Sequence, residues 1–286
     1  MSNHPTIGVY DGECCGSFYV EAALTCMGLP HATFGDEDLL NSRFLERYST
    51  LIFGAGGISG APTAFGGTFG RQRIRDLVQE GRTFIGICAG AYLAMLDEPQ
   101  GLGLIGQGLD RPQAGNIFQG FLNVEYPPGS GKRVPMWYQN GPVFPRDATG
   151  VKTLFTVEHE QHTDMDSAAA SLTPADFSGR PVLVEGKYGN GQCVLLSVHP
   201  ELGSIGLDRY AALIASWRQR ETPDEHRAHP NSLPSGRSRK LVLNALQAVG
   251  LCAEADKPQW TMFRELITNA DGEPNQPDAG DASQRA

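Results

Sequence analysis

Short apolar runs alternate with longer amphipathic ones through about the first hundred residues. TIGVY (6–10) is apolar almost throughout, the pattern of a strand buried on both faces. SFYVEAALTCMG (17–28) instead brings Phe18, Ala22 and Met27 near one helical face, with Gly28 as a stop signal. HATFG (31–35) predicts a second strand and STLIFGAGG (49–57) a third. RQRIRDLVQEG (71–81) predicts a helix ended by Gly81, and TFIGIC (83–88) a fourth strand. This β-α-β-α rhythm is that of a parallel sheet with helices on both faces.

The pattern changes between 114 and 199. FLNVEY (121–126), RVPMWY (133–138), VKTLFTV (151–157), PVLVEGKY (181–188) and GQCVLLSV (191–198) read as short strands. Tyr188-Gly189-Asn190-Gly191 predicts a hairpin between the last two, with Asn-Gly supplying positive φ. These strands are expected to extend the same sheet and add a partly antiparallel lobe. IGLDRYAALIASWR (205–218) and RKLVLNALQAVG (239–250) predict helices, separated by a polar, proline-broken segment that reads as a mobile loop. After Ile267 apolar periodicity ends and a disordered tail is expected. The chain divides into a main domain over 1–252 and a C-terminal helix with an acidic tail over 253–286.

Composition narrows the function. The 286 residues are ordinary in apolar content and suffice for a sizeable core, and the formal net charge of -9 argues against a general nucleic-acid binder. The start lacks the basic-then-apolar build of a secretion signal, and no run approaches a membrane span; a cytoplasmic protein without nucleic-acid or membrane partners is expected. The six cysteines (Cys14, Cys15, Cys26, Cys88, Cys193 and Cys252) form no CxxC pair, so free thiols are expected, with no metal site and no disulfide framework. No cofactor motif stands out either: Gly54-Ala55-Gly56-Gly57 lacks the Gly-Lys-Ser/Thr ending of a phosphate loop and is not a full GxGxxG.

The candidate chemistry lies in FIGICAGAYLA (84–94), where Cys88 stands between an apolar strand and a helical segment, flanked by Gly86 and Gly90. Glycines two positions to either side let a sharp strand-to-helix turn close around a nucleophile. The helix amino end favours a thiolate there. A buried structural cysteine would fit the same local pattern. Leu195-Leu196-Ser197-Val198-His199-Pro200-Glu201 ends an apolar strand on a histidine, with a carboxylate two residues on. His199 could serve as general base and Glu201 as the group that orients its imidazole. Gly56, Gly57 and the amide of Ala89 are candidate oxyanion donors.

Taken together, these stretches resemble the class I glutamine amidotransferase-like superfamily. More closely they resemble the family named for the N-terminal domain of eukaryotic biotin-protein ligase. GAGG (54–57), FIGICAGAYLA (84–94), YQNGPVF (138–144) and VEGKYGNGQCVLLSVHPEL (184–202) carry the resemblance over roughly the first 200 residues. It implies an α/β, flavodoxin-like three-layer sandwich with a mostly parallel central sheet and a partly antiparallel extension. Cys88, His199 and Glu201 would form the triad, with Gly56, Gly57 and Ala89 at the oxyanion site. No biotin-ligase catalytic domain is expected on this chain. Tyr92 stands where glutaminases of the class usually carry a glutamine, and Ala55 replaces the usual proline before the glycine pair. Trp137, Tyr138 and Asn140 are candidate cleft residues, the two aromatics equally readable as core; Asp11 and Glu13 follow the first strand and could meet a ligand amine.

Two functions follow as expectations. One is a cysteine-dependent amidase, hydrolase or amidotransferase-like enzyme acting on a small amide, with a separate synthetase or ligase as a candidate partner. The other is an inactive metabolite-binding or regulatory module with the same fold. A redox role for Cys14 and Cys15 is a third and weaker reading.

Overall fold

The computed structural model describes residues 6–12, 15, 17–41, 45–57, 64–97, 99–105, 119–126, 129–158, 174–206, 212, 252 and 257–270. The first apolar runs form parallel strands: β1 (Ile7–Tyr10), β2 (His31–Phe34), β3 (Thr50–Phe53) and β4 (Thr83–Ile87). β1, β3 and β4 are buried along their whole length, as continuous apolar runs inside a parallel sheet must be. Helices connect them: α1 (Phe18–Cys26) and a short α2 (Asp36–Leu39), then α3 (Thr68–Gln79) before β4 and α4 (Ala89–Met95) after it. α3 begins three residues earlier than the periodicity predicts, because Gly67 at φ 76° turns the chain into it.

The later strands divide between two sheets. β7 (Lys152–Thr156), β8 (Pro181–Tyr188) and β9 (Gly191–Leu196) complete a seven-stranded sheet in the order β2-β1-β3-β4-β9-β8-β7. β9 runs parallel to β4 and antiparallel to β8. The predicted hairpin joins β8 to β9, with the positive φ on Gly189 (59°) rather than Asn190, as a glycine-first two-residue turn requires.

β5 (Gln119–Glu125), β6 (Arg133–Gln139) and β10 (Val198–His199) form a separate three-stranded antiparallel sheet, the expected antiparallel lobe. Burial in β5 alternates residue by residue, as in a strand with one wetted face. Ser197 is the switch between sheets: its N–H still reaches Val182 across the main sheet, while its hydroxyl donates to the Pro142 carbonyl. The chain then leaves β8 and pairs with β6.

Each face of the main sheet carries its own core. Phe84, Cys193 and Leu195 face one way with Ile74, Leu77 and Val78 of α3; Ile85, Ile87, Val194 and Leu196 face the other with α1. The second core also takes Trp260, Met262, Phe263 and Ile267 from α5 (Pro258–Ala270), the C-terminal helix, which runs three residues past Ile267. Cys26 at the end of α1 is bonded to Cys252, their Cα atoms 4.7 Å apart across 226 residues of sequence. That corrects the expectation of free thiols, which holds for Cys88 and Cys193. Scattered spacing carries no trace of so distant a pairing. Among the described residues no helix is long and apolar enough to cross a membrane, and no metal-ligating cluster occurs. The predicted helices 205–218 and 239–250 lie outside the described residues, save Ile205, Gly206 and Ala212, as do Glu13, Cys14 and the tail beyond 270.

Candidate active site

β3, β4 and β9 end side by side at the carboxyl edge of the sheet, where ligands of open α/β folds bind. At the end of β4, Cys88 sits at φ 52° and ψ -104°, a conformation that costs a non-glycine residue about 1–3 kcal/mol. Its surroundings enforce it. The Cys88 N–H donates to Leu196 O at 2.9 Å, Gly90 N–H to Gly54 O at 3.2 Å, and the N–H groups of Ala91 and Tyr92 to Cys88 O at 3.1 Å each.

The flanking glycines are needed for space rather than for dihedral freedom. A Cβ on Gly86 would lie 2.6 Å from the Gly90 carbonyl group, and one on Gly90 would lie 2.1 Å from Phe53 O. The left-handed φ falls on the cysteine itself.

His199 reaches the same edge from the main-sheet strand next to β4. Ile87 of β4 pairs with Leu196 of β9, three residues before the histidine. In β10, His199 lies opposite Trp137 of β6. Its Nδ1 is 2.8 Å from Glu201 Oε1, and both side chains are buried. Burial by itself opposes an imidazolium. That is the largest single influence, but the Glu201 carboxylate, hydrogen bonding to Cys88 and to Glu201, and the charge of a Cys88 thiolate together outweigh it, and the His199 pKa is pushed up to about 10. Nδ1 therefore carries a proton toward Glu201, while Nε2 is buried with no partner of normal geometry among the described residues. The Cys88 thiol, 7% exposed, donates to the Gln139 carbonyl at 3.4 Å.

The other predicted residues fall around this group. Gly56 and Gly57 are exposed on the loop leaving β3, whose Gly54 is bonded to the elbow. The Ala89 N–H has no partner among the described residues, as an oxyanion donor requires. Tyr92 is half-buried one helical turn beyond Cys88; burial first and the Cys88 charge second raise its pKa. Asn140 is exposed at φ 51° immediately after Gln139. Tyr138 belongs to the core: its ring packs on Phe177 and its hydroxyl donates to Gly141 O at 2.8 Å. Trp137 is buried against Phe121. Asp11 Oδ1 accepts the Ser17 N–H, an internal role at the start of α1.

Sequence reasoning missed three participants. The Gln139 carbonyl is a backbone group without a side-chain signature. Tyr19 on α1 is close enough to Glu201 for the carboxylate, after burial, to raise its pKa. Trp260 donates its indole N–H to the Glu201 carbonyl at 3.2 Å.

The fold is the flavodoxin-like α/β architecture of glutamine amidotransferases. A solved glutamine amidotransferase from Thermotoga maritima superposes at a TM-score of 0.50 with 15% identity, covering 95% of this chain and 100% of that one. Another glutamine amidotransferase structure matches at 0.48 with 21% identity over 69% of this chain and 91% of the other. A putative GMP synthase component from Thermoplasma acidophilum matches at 0.42 with 13% identity over 94% and 100%. No family model matches the chain, and no curated protein does.

Proposed function

We propose that this protein is a cysteine-dependent enzyme of the glutamine amidotransferase-like kind that cleaves the C–N bond of a small amide. The observation that carries the reading is the His199–Glu201 pair at 2.8 Å, its Nε2 buried without a hydrogen bond of normal geometry among the described residues, beside a cysteine held in an elbow. Cys88 first passes its proton to His199, whose raised pKa favours the imidazolium, and the resulting thiolate attacks the amide carbonyl carbon. The amide hydrogen-bond donors of Ala89, Gly56 and Gly57 receive the developing oxyanion. His199 then gives the proton to the departing nitrogen as the C–N bond breaks, leaving a thioester on Cys88. Water, deprotonated by His199, cleaves the thioester and restores the thiol. Every step uses groups of this chain and water. Any acceptor of the released ammonia would be supplied by a separate synthetase or ligase.

The test is ammonia release from a panel of amides and amino acids, glutamine included. At least one should be consumed by the wild type and none by Cys88→Ala. A second reading, a metabolite-binding module, draws support from the near-complete burial of Cys88 and from Tyr92 beside it. It predicts a metabolite that stabilises wild type and Cys88→Ser equally and is not consumed.

A further inference from the structure

We propose that Trp260, on the C-terminal helix, is a positioning residue for the triad, holding Glu201 and through it the His199 imidazole. The inference rests on the reading of Glu201 as the group that orients His199. Within its side chain Glu201 has a single hydrogen-bond partner: Oε1 meets His199, while Oε2 is buried without one among the described residues. One hydrogen bond does not by itself set the direction of a buried carboxylate, so its placement depends on the packing around it and on the backbone of the turn Pro200–Leu202 that carries it.

That turn is held from outside by α5. The fully buried indole of Trp260 donates to the Glu201 carbonyl at 3.2 Å. It also fills the space beside Gly203, where an added Cβ would lie 3.3 Å from the indole nitrogen. The preceding residue grips the opposite wall: Gln259 Nε2 donates to Pro135 O at 2.8 Å on β6, two residues before the strand partner of His199. Further along, Arg264 donates to Met27 O at 3.2 Å, tying the helix to the end of α1. Adjacent residues of α5 therefore strap the turn bearing Glu201 to the strand opposite His199. A helix that merely closed the core would need apolar residues here, not two buried donors aimed at these two carbonyls.

The test is the pH profile of Cys88 alkylation by iodoacetamide, read by peptide mass spectrometry beside the melting temperature. Trp260→Phe keeps the aromatic packing and removes the N–H. We expect its alkylation rate between pH 6 and 7 to fall about fivefold, the scale of one lost hydrogen bond acting on the orientation of the pair. Ile267→Val, a core trimming at the far end of the same helix, should lower the melting temperature and leave the profile in place. Gln259→Met, which removes the strap's other donor to Pro135 O at nearly constant volume, should produce a fall of the same kind and serves if Trp260→Phe does not fold. Profiles of Trp260→Phe or Gln259→Met that superimpose on wild type, while that of His199→Ala departs from it, would overturn the positioning role alone. A His199→Ala profile identical to wild type would overturn the triad reading itself.

Discussion

Replacing Glu201 by glutamine keeps an acceptor for the Nδ1–H bond and removes the charge that most strongly holds the proton on His199. The sign follows from linkage. The imidazole has an ordinary pKa of 6.5 and is pushed up to about 10 in the folded protein, so between those values the native state keeps a proton that the unfolded chain releases. Its contribution to stability is complete below about pH 6.5 and is lost as pH rises through about 10. One such proton lowers the unfolding free energy by up to about 1.4 kcal/mol per pH unit inside the window. In Glu201→Gln, burial acts on the imidazolium with little opposition and that slope should vanish. The variant should be about 4–5 kcal/mol less stable than wild type near pH 6.5, that slope summed over the window, and the two should converge toward pH 10. Urea unfolding at one-unit steps from pH 6.5 to 9.5 measures this. Subtracting variant from wild type cancels the tyrosines, lysines and cysteines that titrate in both. Two curves that run parallel over the whole range would refute the charged pair.

Three further outcomes follow from the geometry. Gly90→Ala should lose about 3 kcal/mol in chemical denaturation, since its Cβ would meet Phe53 O at 2.1 Å between two elements that cannot retreat; a loss under about 1 kcal/mol would show the elbow to be pliable. Cys88→Gly should be about 1 kcal/mol more stable than Cys88→Ala in the same assay, because only glycine relieves φ 52°, and equal stabilities would mean the turn stores no strain. Cys252→Ser should lower stability by about 2–5 kcal/mol under non-reducing conditions by releasing a cross-link over 226 residues; an unchanged melting temperature would mean that the segment is held by packing alone.

The strands β1, β3 and β4 were readable in the sequence because a strand buried on both faces leaves an unbroken apolar run, and the elbow because two glycines at fixed spacing bracket one cysteine. The pairing of His199 with Glu201 was readable because both lie two residues apart at a strand end. What sequence could not yield was nonlocal. That β9 breaks at Ser197 and restarts against β6 depends on a hydroxyl reaching Pro142, which no periodicity records. Trp260 meets Glu201 from 59 residues away, and Cys26 meets Cys252 across most of the chain. Tyr138 carried the composition of a cleft wall, yet its hydroxyl is used by the Gly141 carbonyl and its ring by Phe177. Aromatic content alone does not separate the two uses.

The central claim is that His199 activates Cys88, and the most direct measurement is the alkylation rate of Cys88 across pH 5–9 in wild type and His199→Ala. The account predicts that His199→Ala slows alkylation of Cys88 by at least about tenfold at the acid end of that range, where only a thiol that has passed its proton to a base reacts. Wild-type and His199→Ala profiles that superimpose across pH 5–9 would contradict it.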